Sequence, residues 1–318
     1  MGQAGNEVSI VIVNWNAKDE LAASLESIER EATGSVETIV VDNGSSDGSL
    51  AMLAARFPAV RAIDAGANLG FAEGVNRGIA VATRPWIFTL NNDAVLAPGC
   101  LARLGEAIAR ASVRTGMIQL QLVFKDAPDR VNSTGLLLFR SGAAMDRDFD
   151  VPVARASRDP DVFCPTAGAA LYRRTMLDAL RLRAGWFDRT HFMYCEDLDL
   201  GWRARLAGWE ARYEPEAVVL HRFQGSSRRR GEAWVIRMCR INRVRTLVKN
   251  ASFAFIAQSW LQTARDARAE LRAAGFAALA DLARAAWRAW PQRGEVRRLL
   301  ARDRRDVERR WAVRGVGA

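Results

Sequence analysis

Three apolar runs in the first hundred residues each stop abruptly at a polar cluster. Val8–Val13 runs into Asn14-Trp15-Asn16, Thr38–Val41 into Asp42-Asn43-Gly44-Ser45-Ser46-Asp47, and Trp86–Leu90 into Asn91-Asn92-Asp93. Short apolar runs without alternation read as strands buried on both faces, while Leu21, Leu25, Ile28 and then Phe71, Val75, Ile79 recur at helical spacing between them. Strand and helix alternating in this way build βαβ units, so the expected fold is α/β, a mainly parallel mixed sheet with helices on both faces. The polar clusters then fall at the carboxyl ends of strands, where open α/β sheets bind ligands. A weaker strand is expected near Val60–Ile63. Asn16 is placed as the cap of the first helix, and Pro98 in the first turn of a helix carrying Leu101, Leu104 and Ile108.

Residues 125–160 are rich in Asp, Arg, Pro and Ser and read as a long loop or a pair of irregular strands. Order returns with an apolar run over Gly168–Tyr172, a helix from about Asp197 to Gly208 with Leu198, Trp202 and Leu206 inward, and a strand at Val218–Leu220. Beyond Gly225 the pattern is helical, Arg-rich and Ala-rich. Charge divides at the same place: residues 1–221 hold 23 Lys and Arg against 28 Asp and Glu, whereas residues 222–318 hold 23 against 8. A tail this basic points to nucleic acid or an anionic membrane surface. Four scattered cysteines without C-x-x-C spacing and two histidines argue against a zinc site or a disulfide framework, and for a reducing cytoplasm. The amino-terminal residues lack the basic start and apolar length of a signal peptide, and no run of 18 apolar residues occurs, so neither secretion by that route nor a membrane span is expected.

The polar clusters suggest chemistry. A carboxylate at the Asp42 strand tip can accept the imide N–H of uracil or thymine, although the same Ser, Asp and Asn residues also make a helix-capping loop. In Gly66–Gly78, small residues at a helix start bring backbone N–H groups and a positive dipole end toward a diphosphate, with Arg77 as an added cation. Gly74 and Gly78 are accounted for by tight helix packing, and the absence of G-x-G-x-x-G weakens a dehydrogenase reading. Asp93 offers hard oxygens suited to Mg²⁺ or Mn²⁺ held between a carboxylate and substrate phosphates, or else caps a helix. Glu196, Asp197 and Asp199 cluster at a helix start, where the dipole favours carboxylates. Asp197 is the candidate general base, Asp199 and Arg203 form a structural i,i+4 pair, and His221 is a metal ligand, a phosphate donor or a structural histidine.

The stretches VSIVIVNWN, VDNGSSDGS, NLGFAEGVNRG, FTLNNDA, GAALYRR, FMYCEDLDLGWRARLAGW and VVLHRFQGSS, in that order across residues 8–227, resemble family 2 glycosyltransferases of the GT-A fold, within their rhamnosyltransferase-like branch. The resemblance implies a catalytic domain over residues 1–227 and a basic, amphipathic helical region over 228–318. It implies a nucleoside-diphosphate-sugar donor, with dTDP-rhamnose favoured. The donor is held by Asn14, Asn16, Asp42, Asn43, Gly44, Asn68, Gly70, Asn76 and Asn92, with Asp42 reading the base. Asp93 stands for the last acid of the family's D-x-D, whose first position is Asn91 here, and shares Mg²⁺ or Mn²⁺ with His221. Asp197 is the base, and Glu196, Trp202 and Arg203 lie on the acceptor side or support the base. The processive synthases' Q-x-x-R-W is absent, so one sugar per encounter is expected, with inversion, onto a glycan or polyprenyl-linked acceptor of cell-surface polysaccharide synthesis. The tail would seat the enzyme peripherally on the inner face of the cell membrane, with no nucleic acid bound. Competing readings are a sugar-nucleotide nucleotidyltransferase, whose phosphate loop would replace Asn14-Trp15-Asn16, and a non-catalytic transferase scaffold.

Overall fold

The computed structural model describes residues 7–32, 36–222 and 231–314. The first βαβ units are β1 (Val8–Asn14), α1 (Lys18–Glu31), β2 (Glu37–Asp42), α2 (Ser49–Arg56), β3 (Arg61–Asp64), α3 (Phe71–Val81) and β4 (Trp86–Asn91). After β4 come β5 (Ala94–Leu96), α4 (Cys100–Arg110), β6 (Thr115–Phe124) and β7 (Ala127–Ser133). Two short strands, β8 (Leu136–Phe139) and β9 (Ala144–Asp146), precede β10 (Ala169–Arg173), α5 (Arg174–Leu180), α6 (Glu196–Leu206) and β11 (Glu210–His221).

The main sheet runs β3-β2-β1-β4-β10-β6-β11-β5, with β7 also paired to β6. β1 pairs in parallel with β2 and β4, and β6 with β11, whereas β10 is antiparallel to both of its neighbours. The sheet is therefore mixed. In β1, Ile10 and Ile12 join the core under α1 and α4, and Val11 joins the core under α3 and α6, as a run buried on both faces requires. α3 lies unusually close to β1: a Cβ on Gly78 would stand 2.3 Å from Val11 Cγ1, and one on Gly74 2.7 Å from Val13 Cγ1. Register then sets the strand ends side by side, Asn14 beside Asp42 and Val13 beside Asn91.

Several expectations need correction. Asn16 does not cap α1, whose first turn follows Ala17 with no side-chain cap; its backbone is left-handed, φ 50°, and its Oδ1 instead accepts the Ser46 N–H at 2.7 Å. Pro98 lies ahead of α4, which begins at Cys100 after Gly99 with φ 82°. Residues 125–160 contain three strands, β7, β8 and β9, in place of a loop or a pair. The interior strand β6 was not expected at all. Its Gln119 and Gln121 interrupt the apolar run, and both are satisfied inside: Gln119 accepts the Thr166 N–H at 2.8 Å and Gln121 the Tyr213 hydroxyl at 2.7 Å.

The carboxyl-terminal part forms α7 (Glu232–Asn250), α8 (Phe253–Gln258), α9 (Trp260–Arg297, broken at Ala274 and Gly275), α10 (Arg304–Trp311) and the two-residue strand β12 (Ala312–Val313). The boundary expected at 227/228 and the Gly225-Ser226-Ser227 motif lie outside the described residues. β12 extends the small β8–β9 sheet, and the rings of Phe255 and Trp202 meet edge to face at 5.6 Å. Among the described residues no helix is long and apolar enough to cross a membrane.

A buried ionic cluster fixes α7 to the sheet-bearing part. The Lys249 ammonium, wholly buried, lies 2.5 Å from Asp188 Oδ2 and 2.8 Å from Asp199 Oδ1. Asn250 donates to Asp199 at 2.7 Å, and Arg203, also wholly buried, donates to Asp199 at 3.1 Å and to the carbonyls of Leu180 and Trp186. Burial would raise both carboxyls, but Lys249 overrides it and holds them below the usual range. Burial pushes the neighbouring His191 imidazole down to about 4, so it is neutral at pH 7. Replacing Lys249 with Met should destabilise the protein by about 3–5 kcal/mol, because two carboxylates lose a buried countercharge. The urea-unfolding midpoint measures this; an unchanged midpoint would show that the pair contributes nothing.

Candidate active site

The strand tips of β1, β2 and β4, the amino end of α6 and the β8–β9 hairpin surround one cavity of about 420 Å³. Asn14, Asn43, Asn68, Asn92 and Asp93 line it from the strand-tip side. Asp146, Glu196, Asp197 and His221 line it elsewhere. The sequence motifs thus converge on one space, with Asp146 as an addition.

The tips hold one another through a relay of side-chain amides. Asn92 donates to Asn14 Oδ1 at 2.9 Å, and Asn14 donates to Asp42 Oδ2 at 2.9 Å. Asp42 Oδ1 accepts the Ser45 N–H at 2.7 Å. Asp42 is fully buried with both oxygens engaged and lies outside the cavity lining, so the geometry does not present it to a base as expected; it sets the position of Asn14 and of the loop that follows. Asn43 is the cavity-facing member of that tip. Its Nδ2 donates to the Gly70 carbonyl at 3.0 Å, and its buried Oδ1 has no protein partner, which leaves an acceptor for a ligand donor.

Other expected donor contacts prove to be supports. Gly44, with φ 71°, backs onto Ala67, where a Cβ would come within 2.8 Å of its Cα. Asn76 is a buried mimic of a strand neighbour, donating to the Phe187 carbonyl at 2.8 Å and accepting its N–H at 3.0 Å, and it does not line the cavity. Arg77 turns away to Glu73 at 3.7 Å. The amino end of α3 is partly occupied already, because the Ala72 N–H donates to the Phe192 carbonyl at 3.2 Å. Gly70 is what permits that approach: with φ 84°, a Cβ there would stand 2.4 Å from the Phe192 oxygen. Asn68 keeps its place in the lining while accepting the Gly70 N–H at 3.0 Å.

At the far side of β4, Asp93 Oδ1 lies 3.3 Å from His221 Nε2. His221 Nδ1 donates to Asn132 Oδ1 at 2.8 Å, and its Nε2 lies beside Asp93 and 3.1 Å from Asn91 Nδ2. A carboxylate oxygen and an imidazole nitrogen side by side, both nearly buried and facing the cavity, fit Mg²⁺ or Mn²⁺ shared with substrate phosphates once the Asn91 amide turns aside. Asp93 caps no helix, since α4 starts after Gly99. A second group of ligand atoms, from Asp188, His191 and Asp199, lies within 4.8 Å of one another. The Lys249 ammonium already sits there as the cation, so that triad is not a metal site.

The acids divide by environment. Asp197 Oδ2 accepts the Ala167 N–H at 3.1 Å and Oδ1 accepts the Leu198 N–H at 2.7 Å. Burial raises its pKa above the ordinary carboxylate value, and these donors partly oppose the rise. Glu196 has a buried oxygen without a partner, and burial together with the Asp197 charge pushes it well up. The two neighbouring carboxyls are thus both raised, Glu196 further than Asp197, which keeps its two backbone donors. Asp146 is pushed up to about 6, by burial first and also by the Asp197 charge. Trp202 does not reach the cavity: it is fully buried against Phe163 and Phe255, and Arg203 is committed to Asp199. Asn132 and Asp146 were invisible in sequence because the segment that carries them shows no strand pattern.

A family profile described as "Glycosyl transferase family 2" matches residues 9–181. The chain belongs to that family. It is 30% identical over 254 residues to the N-acetylglucosaminyl-diphospho-decaprenol L-rhamnosyltransferase of Mycobacterium tuberculosis, covering 67% of this chain and 75% of that one. Among solved structures it is similar to the mannosyltransferase PcManGT from Pyrobaculum calidifontis in complex with GDP-Man and Mn²⁺, with TM-score 0.53 at 17% identity, covering 96% of this chain and 87% of the other. It also resembles GalNAc-T7 with UDP, GalNAc and Mn²⁺, with TM-score 0.61 at 15% identity, over 84% of this chain and 51% of that one. The family settles the choice against a nucleotidyltransferase, and the two structures share the GT-A fold.

Replacing Asp93 with Ala removes the only carboxylate of the β4 tip. It should abolish Mn²⁺- or Mg²⁺-stimulated hydrolysis and transfer of the donor, and Mn²⁺ titration followed by electron paramagnetic resonance should show weakened binding. Full activity of the variant in excess chelator would remove Asp93 from any metal role.

Proposed function

We propose that this glycosyltransferase moves a rhamnosyl unit from dTDP-rhamnose to a hydroxyl of a sugar carried on a polyprenyl diphosphate, with inversion, in cell-surface polysaccharide synthesis. The observation that carries the reading is that Asp197, steadied by two backbone N–H groups, opens into the same cavity as the Asp93–His221 pair. The rhamnosyltransferase of Mycobacterium tuberculosis, similar over three quarters of its length, supports the sugar and the lipid-diphosphate acceptor.

A sugar diphosphate brings its own leaving group, so the chain has two tasks. Asp93 and His221 would hold a cation, and Mg²⁺ or Mn²⁺ there would supply positive charge for a departing diphosphate. Asp197 takes the proton of the acceptor hydroxyl as it attacks, and one base acting on one displacement inverts the anomeric centre. Glu196, with its unpartnered oxygen beside Asp197, faces the same space. Asn43 offers its free oxygen to the donor. In this reading the catalytic unit is residues 1–227 and the helical region 228–318 serves the acceptor's membrane.

The surface of α9 supports that last point. After the break at Gly275, Ala278, Leu282, Ala285 and Ala289 face inward, while Phe276 is 82% exposed, Trp287 80% and Trp290 55%. Those three aromatics share one helix face by spacing, flanked by Arg284 and Arg288, the make-up of a helix lying in a lipid interface. Phe255 and Leu282 of the same region are buried and unavailable to lipid. The seat is the cytoplasmic face of the membrane.

Asp197→Asn keeps the size and one of the two accepted backbone hydrogen bonds and removes basicity. It should leave donor affinity nearly unchanged and lower kcat by ~10²–10⁴-fold. Because burial raises the Asp197 carboxyl, wild-type kcat should rise with pH through a pKa above the ordinary carboxylate range as the base loses its proton. Retention of configuration in the product, read by NMR, would overturn the mechanism. Full-length protein should pellet with anionic liposomes at low salt, and Trp287→Ser with Trp290→Ser should release it; a protein that stays in the supernatant from the start would end the membrane reading.

A further inference from the structure

The acids of the site follow a loop that the backbone does not favour. Phe192, Tyr194 and Cys195 have φ of 61°, 72° and 62°. The other non-glycine residues with positive φ among those described are Asn16, Asp148 and Asp150, of the types that tolerate this region. Three such residues in four positions persist only where their surroundings hold them.

Besides the Ala72 N–H on the Phe192 carbonyl, support for them comes from α7. Asn242 Nδ2 lies 2.8 Å from the His191 carbonyl, 2.8 Å from that of Met193 and 2.9 Å from that of Tyr194. The amide is oriented from behind, since Arg245 donates to Asn242 Oδ1 at 2.5 Å. One turn on, Thr246 Oγ1 is 3.1 Å from His191 Nε2, and one turn further Lys249 reaches Asp188. At the start of the helix the Trp234 ring meets Phe192 at 6.3 Å and Tyr194 at 6.4 Å. Asn242, Thr246 and Lys249 recur at helical spacing, so a single face of α7 grips the loop from Asp188 to Cys195.

We propose that Asn242 is a positioning residue for the reaction: by gathering three carbonyls it holds the strained loop so that Glu196 and Asp197 start α6 at the right place. It touches no substrate. The kinetic part of the inference rests on the transfer reaction proposed above; the structural part does not. On this view the basic region is part of the catalytic machinery as well as a membrane seat.

The test uses the full-length chain and two readouts. Asn242→Ala and Asn242→Asp both remove the donor, the second at nearly constant volume, and hydrogen exchange without any ligand should speed up in the segment covering 190–198 while the rest of the sheet stays protected. With the donor accepted by the wild type, kcat should fall ~10–100-fold while the donor KM stays within ~3-fold, the pattern of a misplaced base and not of a lost binding contact. Arg245→Ala, which frees the amide to turn, should move both readouts in the same direction by less, and it serves if the Asn242 variants do not fold. Unchanged exchange at 190–198, or wild-type kcat in a variant with a loosened loop, would overturn the proposal. If the wild type transfers no sugar from any nucleotide donor, the proposed reaction falls, and the exchange data alone decide whether Asn242 clamps the loop.

Discussion

A single ammonium group, that of Lys249, joins the two compositional halves of this protein. It is wholly buried, and its partners are Asp188, ahead of the strained loop, and Asp199, in the first turn of α6. Taking three charges out of water is expensive, and only close pairing with further hydrogen bonds offsets it; Asn250, Arg203 and Thr190 supply those bonds. Such a cluster tolerates little displacement. The segment between Asp188 and Asp199, which contains both candidate catalytic acids, is therefore anchored at its two ends by one residue of α7.

The same economy of position governs the sheet edge. The polar side chains on the strand tips support one another: Asn92 leans on Asn14, Asn14 on Asp42, and Asp42 on the Ser45 backbone. Amides suit this role because each both donates and accepts, so a row of them transmits position from strand to strand without adding charge. Charge is reserved for the cavity wall. There Asp93, Asp197 and Asp146 are spread around the space, and burial raises the carboxyls of Asp197 and Asp146.

The fold of the first hundred residues was legible because local pattern and tertiary role agree there. A continuous apolar run can only be a strand covered on both faces, and Leu21, Leu25 and Ile28 can only face it. β6 escaped notice because buried Gln119 and Gln121 break its pattern, and their partners Thr166 and Tyr213 lie more than forty residues away in sequence. The site was legible as a set of tips, but not in its division of labour. Asp42 and Asn76 carry the chemistry of ligand-binding groups, and nothing in their neighbours announces that Asn14 and Phe187 use it up, whereas the Asp199–Arg203 pair was readable from its i,i+4 spacing. Asn242 was hidden for the opposite reason, lying in a stretch whose arginines make it read as a solvated basic tail.

The change in composition near residue 227 therefore marks a change of surface and not the end of a folding unit. A chain ending there would leave Asp188 and Asp199 buried without their lysine, His191 without Thr246, and three carbonyls of a strained loop without Asn242. It would also expose the Trp202 face that Phe255 covers, and it would remove β12 from the edge of the β8–β9 hairpin that carries Asp146 to the cavity. Basic charge and outward aromatics suit the far side of α9 to a membrane, while the near side of α7 is polar, buried and matched to the acid loop. One helical region thus carries two different faces, basic with outward aromatics on one side and polar and buried against the enzyme on the other, and the helical period keeps the two sets of residues apart.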